Sequence, residues 1–271
     1  MNQKIAFIGG GNMATALMDG LLAAGAAPNH FLVIEPLDAI RAKHASRGVL
    51  THSLAHTDLS RYGLWVLATK PQALQKACEA IVGFLSPDTV IISIAAGVPI
   101  HTLSGWLGGH TKIVRTMPNT PAKVGLGITG LFATPSCSAD EKAAADAVFA
   151  AAGQRIWLPT EAMLDPITAI SGSGPGYVFY FMEAMERAAI ELGFAPEQAR
   201  ALAVDTFRGA AQLAAQEDTS LAVLRERVTS KGGTTHAALS YMQAAGVSQS
   251  IVTALHQANL RARALAEAGA Q

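Results

Sequence analysis

Cysteine is nearly absent from this chain. Cys78 and Cys137 are the only two among 271 residues, they lie far apart, and they form no CxxC pair. This leaves no disulfide framework and fits free thiols in a reducing compartment. Net charge is lacking as well. Twenty Lys and Arg stand against twenty Asp and Glu, without a basic tail or charge run, so the electrostatic footprint of a nucleic-acid or membrane partner is missing. Long apolar runs are also missing, since no stretch approaches the roughly 18 continuous apolar residues of a membrane span. The first run, residues 5–8, stops at Gly9 and is too short for a signal-peptide core. A cytoplasmic location is therefore expected. No Gly-x-Ser-x-Gly nucleophile elbow appears. No Gly/Ser-rich linker and no internal repeat appear either, and the alanine bias is ordinary helix propensity.

What is present is a chain long enough for one large domain or two ordinary ones, with half its residues hydrophobic. Apolar runs at residues 4–9, 31–35, 63–68, 89–94, 112–116, 127–132 and 154–158 read as strands. Helical patterns fall over 12–24, from about 36 to 46, from Pro71, and over 139–152. Proline suits a helix's first turn because that N–H has no partner anyway. Such alternation predicts a parallel sheet with helices on both faces. After Pro159 the strand signals vanish. Helical stretches follow at about 161–170, 175–192, 196–216, 220–228, 235–245 and 249–268, the first interrupted by Pro166. The expected fold is α/β: a Rossmann-type doubly wound parallel sheet over residues 1–158, then an all-α domain over 159–271. Several of these helices are apolar on more than one face, and few others remain in the chain to cover them. A second subunit is the expected cover.

Ile8-Gly9-Gly10-Gly11-Asn12-Met13-Ala14 follows the first strand and opens the first helix. It fits the G-x-G-x-x-G/A dinucleotide fingerprint. Gly9 permits the turn, Gly11 lets backbone approach a pyrophosphate, and Ala14 lets helix and strand pack closely. The helix start, at Asn12 and Met13, offers free N–H groups and partial positive charge. The alternative is a glycine turn that only eases packing. Glu35 ends the second strand, where an acid accepts from the adenine-ribose hydroxyls and favours NADH over NADPH. Arg41, Lys43 and His44 follow, with charge to neutralise a 2′-phosphate, and a merely solvated Glu35 is the equal alternative. Ala68-Thr69-Lys70-Pro71 and Ala95-Ala96-Gly97 close later strands, where open α/β sheets bind ligands. Asn119, between Pro118 and Pro121, either contacts the cofactor or shapes its turn.

In the helical half, Val228-Thr229-Ser230-Lys231-Gly232-Gly233-Thr234-Thr235-His236-Ala237 combines paired glycines, hydroxyls and a helix start. It reads either as a carboxylate cradle or as an ordinary interhelix turn capped by Thr234 or Thr235. Ser171-Gly172-Ser173-Gly174-Pro175-Gly176-Tyr177 is a second glycine-rich helix start. His52 and His56 are four apart, a spacing able to chelate a metal on a helix. With turn-like neighbours and no third ligand evident, no metal is expected there.

Taken in order, residues 9–14, 68–71, 95–97, 115–121, 171–177 and 228–237 resemble the pyrroline-5-carboxylate reductase family of proline biosynthesis. The resemblance spans the chain, and 228–237 is its most specific block. It implies hydride transfer from NADPH or NADH to the ring C=N bond, with dimers through the helical domain that often assemble into decamers. It further implies that Ser230, Gly232, Gly233, Thr234 and Thr235 bind the substrate, with Thr235 facing the ring nitrogen as the catalytic contact. Glu161 aligns with a position that also touches a proline-like ligand. The implied cofactor contacts are Gly9, Gly11, Asn12, Met13, Glu35, Ala68, Thr69, Lys70, Pro71, Ala95, Ala96 and Asn119. Two departures stand out: Lys231 occupies a position where many members have proline, and Glu35-Pro36 one where members often have small polar or basic residues. A hydroxyacid- or prephenate-type dehydrogenase of the same plan would show a strong Lys or His base in the helical half. Only Lys231 and His236 qualify, and both lie in the block that points elsewhere. A dinucleotide-sensing protein without activity is the other alternative.

Overall fold

The computed structural model describes residues 3–269. Its first half runs β1 (Ile5–Ile8), α1 (Asn12–Ala23), β2 (Phe31–Ile34), α2 (Asp38–Ala45), β3 (Leu50–His52), β4 (Leu64–Leu67) and α3 (Pro71–Ile81). Then come β5 (Val90–Ser93), α4 (Ile100–Trp106), β6 (Ile113–Met117), β7 (Gly127–Ala133), α5 (Ala139–Ala150) and β8 (Gly153–Trp157). The remainder is helical: α6 (Leu164–Ile167), α7 (Gly174–Glu191), α8 (Pro196–Gln216), α9 (Leu221–Arg227), α10 (Thr234–Ala244) and α11 (Val247–Ala268).

Among the described residues the sheet has eight strands in the order β3-β2-β1-β4-β5-β6-β7-β8. The order doubles back at β1, with β2 on one side and β4 on the other. The central strands are continuous apolar runs because both sheet faces are covered. Ile5, Phe7, Phe31, Val33, Leu64 and Val66 face one core with Leu17 and Leu21 of α1 and Phe149 of α5. Ala6, Ile8, Leu32, Ile34, Trp65 and Leu67 face the other, with Leu74 and Cys78 of α3 and Leu103 of α4.

The sheet departs from the expected all-parallel arrangement at one place. β7 runs antiparallel to β6, while β8 is parallel to β7. A parallel return needs a crossover of about a dozen residues or more. Only residues 118–126 link β6 to β7, and they form a short turn of 3₁₀ helix at Thr120–Val124. β3 and α4 went unforeseen: three and seven residues are too few for a period to register.

Residues 161–172 are not one kinked helix. A 3₁₀ turn at Glu161–Met163 leads into α6 and then into a π-helical turn at Thr168–Gly172. Pro166, inside α6, cannot donate to a regular ladder. This segment lies against the sheet. A Cβ on Gly130 would meet Ile167 at 2.9 Å, and one on Gly172 would meet Met117 at 2.7 Å. The strands end near Pro159 as expected, but the compact units divide elsewhere. One comprises the residues through Ser173 together with those from Ala258 onward, and the other is residues 174–257. In the second unit α7 and α8 pack along each other, and Phe179, Tyr180, Leu192 and Tyr241 are exposed on this chain. No helix is long and apolar enough to cross a membrane among the described residues.

Both thiols are buried. Burial pushes Cys78 up to about 12 and also raises Cys137. The thiolate is the reactive form, so neither should be alkylated by iodoacetamide at neutral pH in the folded protein, and both should be in urea. Rapid labelling of Cys78 under native conditions would contradict this packing.

Candidate functional site

The turn after β1 is shaped for a close visitor. Gly9 has φ +103°, and a Cβ there would lie 2.8 Å from the Ala68 carbonyl group, so glycine is required by the approach of β1 to β4. Gly11 is different. A Cβ there would meet nothing within 4 Å, so the chain's own packing does not demand glycine. The open space lies at the N-cap of α1, where the first-turn N–H groups lack helical partners. Ala14 is buried against the core. A pyrophosphate fits this cradle in charge and in shape.

Gly10, between them, is gripped from both sides. Its N–H donates to Glu35 Oε2 at 2.9 Å, and its carbonyl accepts from His44 Nε2 at 2.8 Å. A carbonyl only accepts, so Nε2 carries the hydrogen. Nδ1 of the fully buried His44 has no partner. Glu35 is 7% exposed, and its second oxygen accepts from Leu37 N–H at 3.0 Å. Glu35 is thus not a solvated strand-end acid. Arg41 donates to the carbonyls of Glu35 and Pro36 and pairs with Asp38. Of the three cationic candidates on α2, this leaves Lys43 exposed while Arg41 and His44 are engaged with the backbone.

The later strand ends gather beside this turn. Ala68 follows β4, and its N–H donates to the Ile8 carbonyl at 2.8 Å. Thr69 Oγ1 is buried without a partner, which suits a hydroxyl awaiting a polar ligand. Lys70 and Pro71 begin α3, with Pro71 in its first turn. Ala95 and Ala96 follow β5, and Gly97 takes φ +74° where a Cβ would press on Leu265 at 3.2 Å.

Asn119 and Glu161 are tied to the protein itself. Asn119 Nδ2 donates to the Ser171 carbonyl at 3.0 Å, and its Oδ1 accepts from Ile128 N–H at 2.9 Å. Its observed role is to shape the turn between β6 and β7. Glu161 Oε1 accepts from Arg115 Nη1 and from Ile100 N–H, each at 2.8 Å. The carboxylate expected to touch substrate is thereby engaged in the first unit, joining β6 to the start of α4. Nearby, burial pushes the Asp165 carboxyl above its usual range, and Arg115 opposes that shift. His44, expected only as a possible charge partner for a 2′-phosphate, holds the Gly10 carbonyl instead, and Arg115 is a polar residue given no role from sequence. The only signal for Arg115 was its place inside the Arg-Thr-Met-Pro-Asn-Thr-Pro stretch.

The expectation that His52 and His56 lack a third partner is also corrected. Asp58 Oδ2 lies 3.0 Å from His52 Nε2 and 3.2 Å from His56 Nδ1. The hydrogen bond from His52 holds the Asp58 carboxyl below the usual carboxylate range.

In the second unit, α10 begins at Thr234, with Gly233 as N-cap and no side-chain cap. Thr234 and Thr235 therefore sit in the first helical turn and cap nothing. Gly232 has φ +75°, a conformation that calls for glycine, and a Cβ on Gly233 would lie 2.5 Å from Ser230 Oγ. The Gly233 N–H already donates to the Ser230 carbonyl at 3.0 Å. Of the donors expected for a carboxylate, that one is occupied. The first-turn N–H groups of Thr234, Thr235 and His236 have no helical partner. Lys231 is exposed beside them.

Comparison with known proteins matches this geometry. Residues 161–265 match the family described as pyrroline-5-carboxylate reductase dimerisation, and residues 4–97 match NADP oxidoreductase coenzyme F420-dependent. The pyrroline-5-carboxylate reductase of Pseudomonas aeruginosa is 41% identical over 97% of both chains. Among solved structures, a pyrroline-5-carboxylate reductase from Coxiella burnetii is 37% identical with a TM-score of 0.91, covering 98% of this chain and 99% of its own. The Plasmodium falciparum pyrroline carboxylate reductase, solved with NADP bound, is 26% identical with a TM-score of 0.86, covering 98% of each chain. With a cofactor turn at the switch point of the sheet and a glycine-threonine helix start in the helical unit, and with relatives of this identity along its whole length, the chain belongs to the pyrroline-5-carboxylate reductase family.

Proposed function

We propose that the chain reduces the ring C=N bond of pyrroline-5-carboxylate to L-proline at two sets of groups, the strand ends around Gly9–Gly11 and the start of α10. The observation that carries the reaction is the 41% identity with a reductase of that name over 97% of both chains. NADPH or NADH supplies the hydride. Gly9, Gly11, Asn12 and Met13 hold the pyrophosphate, and Ala68, Thr69, Lys70, Pro71, Ala95 and Ala96 line the path toward the reacting end. The open space at Gly11 and the unpartnered Thr69 hydroxyl support this assignment.

The chemistry asks little of a strong acid. A protonated ring imine is already an electrophile, and positioning alone supplies several kcal/mol, up to roughly 7–11 in favourable cases. The backbone donors at the start of α10 orient the substrate carboxylate, with Ser230, Gly232, Gly233 and Thr234 shaping the loop. Thr235 places its hydroxyl at the ring nitrogen. Its freedom from capping supports that role. Turnover of pyrroline-5-carboxylate, followed by oxidation of each reduced cofactor, tests the activity. Thr235→Ala should lower kcat/KM at least tenfold with little change in Tm, while Thr235→Ser should retain most activity. Near-normal turnover by the alanine variant would remove Thr235 from the reaction.

Glu35 acts on the cofactor through the turn it holds. With both oxygens engaged by Gly10 and Leu37 N–H groups, Glu35→Ser should raise KM for NADPH and NADH together, by about tenfold, with KM for pyrroline-5-carboxylate unchanged. A tenfold swing in the NADPH/NADH ratio of kcat/KM would instead make Glu35 a direct ribose selector. The cofactor in the Plasmodium relative supports NADPH use.

The working particle is a homodimer through the helical residues, in the cytoplasm. The match of residues 161–265 to a dimerisation family and the exposed Phe179, Tyr180 and Leu192 support the pairing. The buried free thiols agree with a reducing compartment. Assembly of such dimers into a decamer is the second reading. Sedimentation at micromolar concentration should give a dimer or a decamer, and a stable monomer would refute the pairing.

A further inference from the structure

The connection between β3 and β4 gathers three side chains that the reductase chemistry does not use. His52 ends β3, His56 precedes the 3₁₀ turn Thr57–Arg61, and Asp58 lies within that turn. One carboxylate oxygen, Asp58 Oδ2, is 3.0 Å from His52 Nε2 and 3.2 Å from His56 Nδ1. The two imidazoles stack with centroids 4.1 Å apart and planes inclined by 19°. The three donor atoms lie within 4.8 Å of one another.

We propose that His52, His56 and Asp58 form a binding site for a borderline divalent ion of the zinc, nickel or copper class. Two imidazole nitrogens and one carboxylate oxygen are the donor set such ions take, with remaining positions left to water. Metal–ligand bonds of about 2.0–2.2 Å place neighbouring donors about 3.0–3.4 Å apart in tetrahedral or octahedral geometry, and the two observed separations fall in that range. The backbone holds the set in advance. His52 is registered opposite Ile34 in the sheet, and its carbonyl accepts from Glu35 N–H at 2.9 Å. Side-chain exposures of 26% for His52 and 18% for Asp58 keep both in place, while His56, at 49%, faces an entry path.

Three interactions compete with the ion. The hydrogen bond between His52 Nε2 and Asp58 Oδ2, at 3.0 Å, must give up its hydrogen to the metal. Arg61 Nη1 lies 3.2 Å from Asp58 Oδ1, but it is 72% exposed and approaches the other oxygen. His56 Nδ1 accepts from Asp58 N–H at 3.2 Å. That is a long bond, and the imidazole would exchange it for the metal. The chelate closes within seven residues, His52 through Asp58, and the exposed His56 ring turns out of its stack on His52 so that both in-plane lone pairs meet one ion.

The test uses the full-length protein, freed of metal by chelation and titrated with Zn²⁺ by calorimetry and with Co²⁺ by visible absorption. One equivalent per chain is expected, with a Co²⁺ d–d band and a rise in Tm on saturation, because the ion binds the folded form. His56→Ala, at a half-exposed position, should fold normally by circular dichroism, lower Zn²⁺ affinity at least tenfold and abolish the band. His52→Asn should do the same. Absence of a stoichiometric site in the parent protein, or equal affinity and an unchanged band in His56→Ala, would overturn the proposal.

Discussion

The backbone of a single residue, Gly10, bears much of the arrangement. It lies just past the end of β1 and is held from both sides, by the Glu35 carboxylate at its N–H and by the His44 imidazole at its carbonyl. Both anchors are buried, where a hydrogen bond is strong and a lost one leaves an uncompensated polar group at a cost of about 1–3 kcal/mol. The grip fixes the turn between β1 and α1 relative to β2 and α2. It also sets the open face of Gly11, and with it the direction in which the α1 N–H groups point.

The rest of the nucleotide end follows from that fixed point and from parallel pairing. β1 pairs with β2 and with β4 in register, so Glu35 and Ala68 arrive on either side of the glycine turn. β5 brings Ala95 and Ala96 to the same edge of the sheet. Ala68, Ala95 and Ala96 are small, which leaves the backbone at these ends open to approach. Larger polar residues nearby hold backbone to backbone. Asn119 joins residues 128 and 171, and Glu161 joins Arg115 to the start of α4. Removing either would disturb the frame before it touched a ligand.

The helical unit solves a different problem. A helix that opens on glycine with no side-chain cap leaves its first N–H groups bare. In an ordinary interhelix turn that is a loss of stability, and a threonine one residue earlier would remedy it. Here two threonines stand inside the first turn instead, where their hydroxyls are available to a ligand. A uniquely glycine backbone at Gly232 and the close approach of Gly233 to Ser230 fix the loop that leads in. Local stability has been given up at a helix start whose bare N–H groups suit an anion.

Much of this was legible in the sequence, because periodicity and glycine placement are local properties. The apolar runs marked β1, β2, β4, β5 and β6, the helical periods marked most helices within a few residues, and the Gly9–Gly11–Ala14 spacing marked the nucleotide turn. The paired glycines and hydroxyls of the 228–237 block marked a helix start, which the structure shows without a side-chain cap. Other features required the folded chain, because they depend on which distant segments meet. The antiparallel β7 follows from a link too short for a crossover, and the unit boundary at Ser173 follows from residues 161–172 lying on the sheet. Likewise Glu35, read in sequence as a ribose ligand or a solvated acid, proves to be a buried clamp. Asn119 and Glu161 prove to be ties within the frame, and Asp58 turns two separate histidines into a cluster. The sequence determined which residues carry donors, acceptors and conformational freedom. Only the tertiary structure decided which of those donors and acceptors were already satisfied by the protein, because a hydrogen bond between residues 25 or 46 positions apart has no local signature.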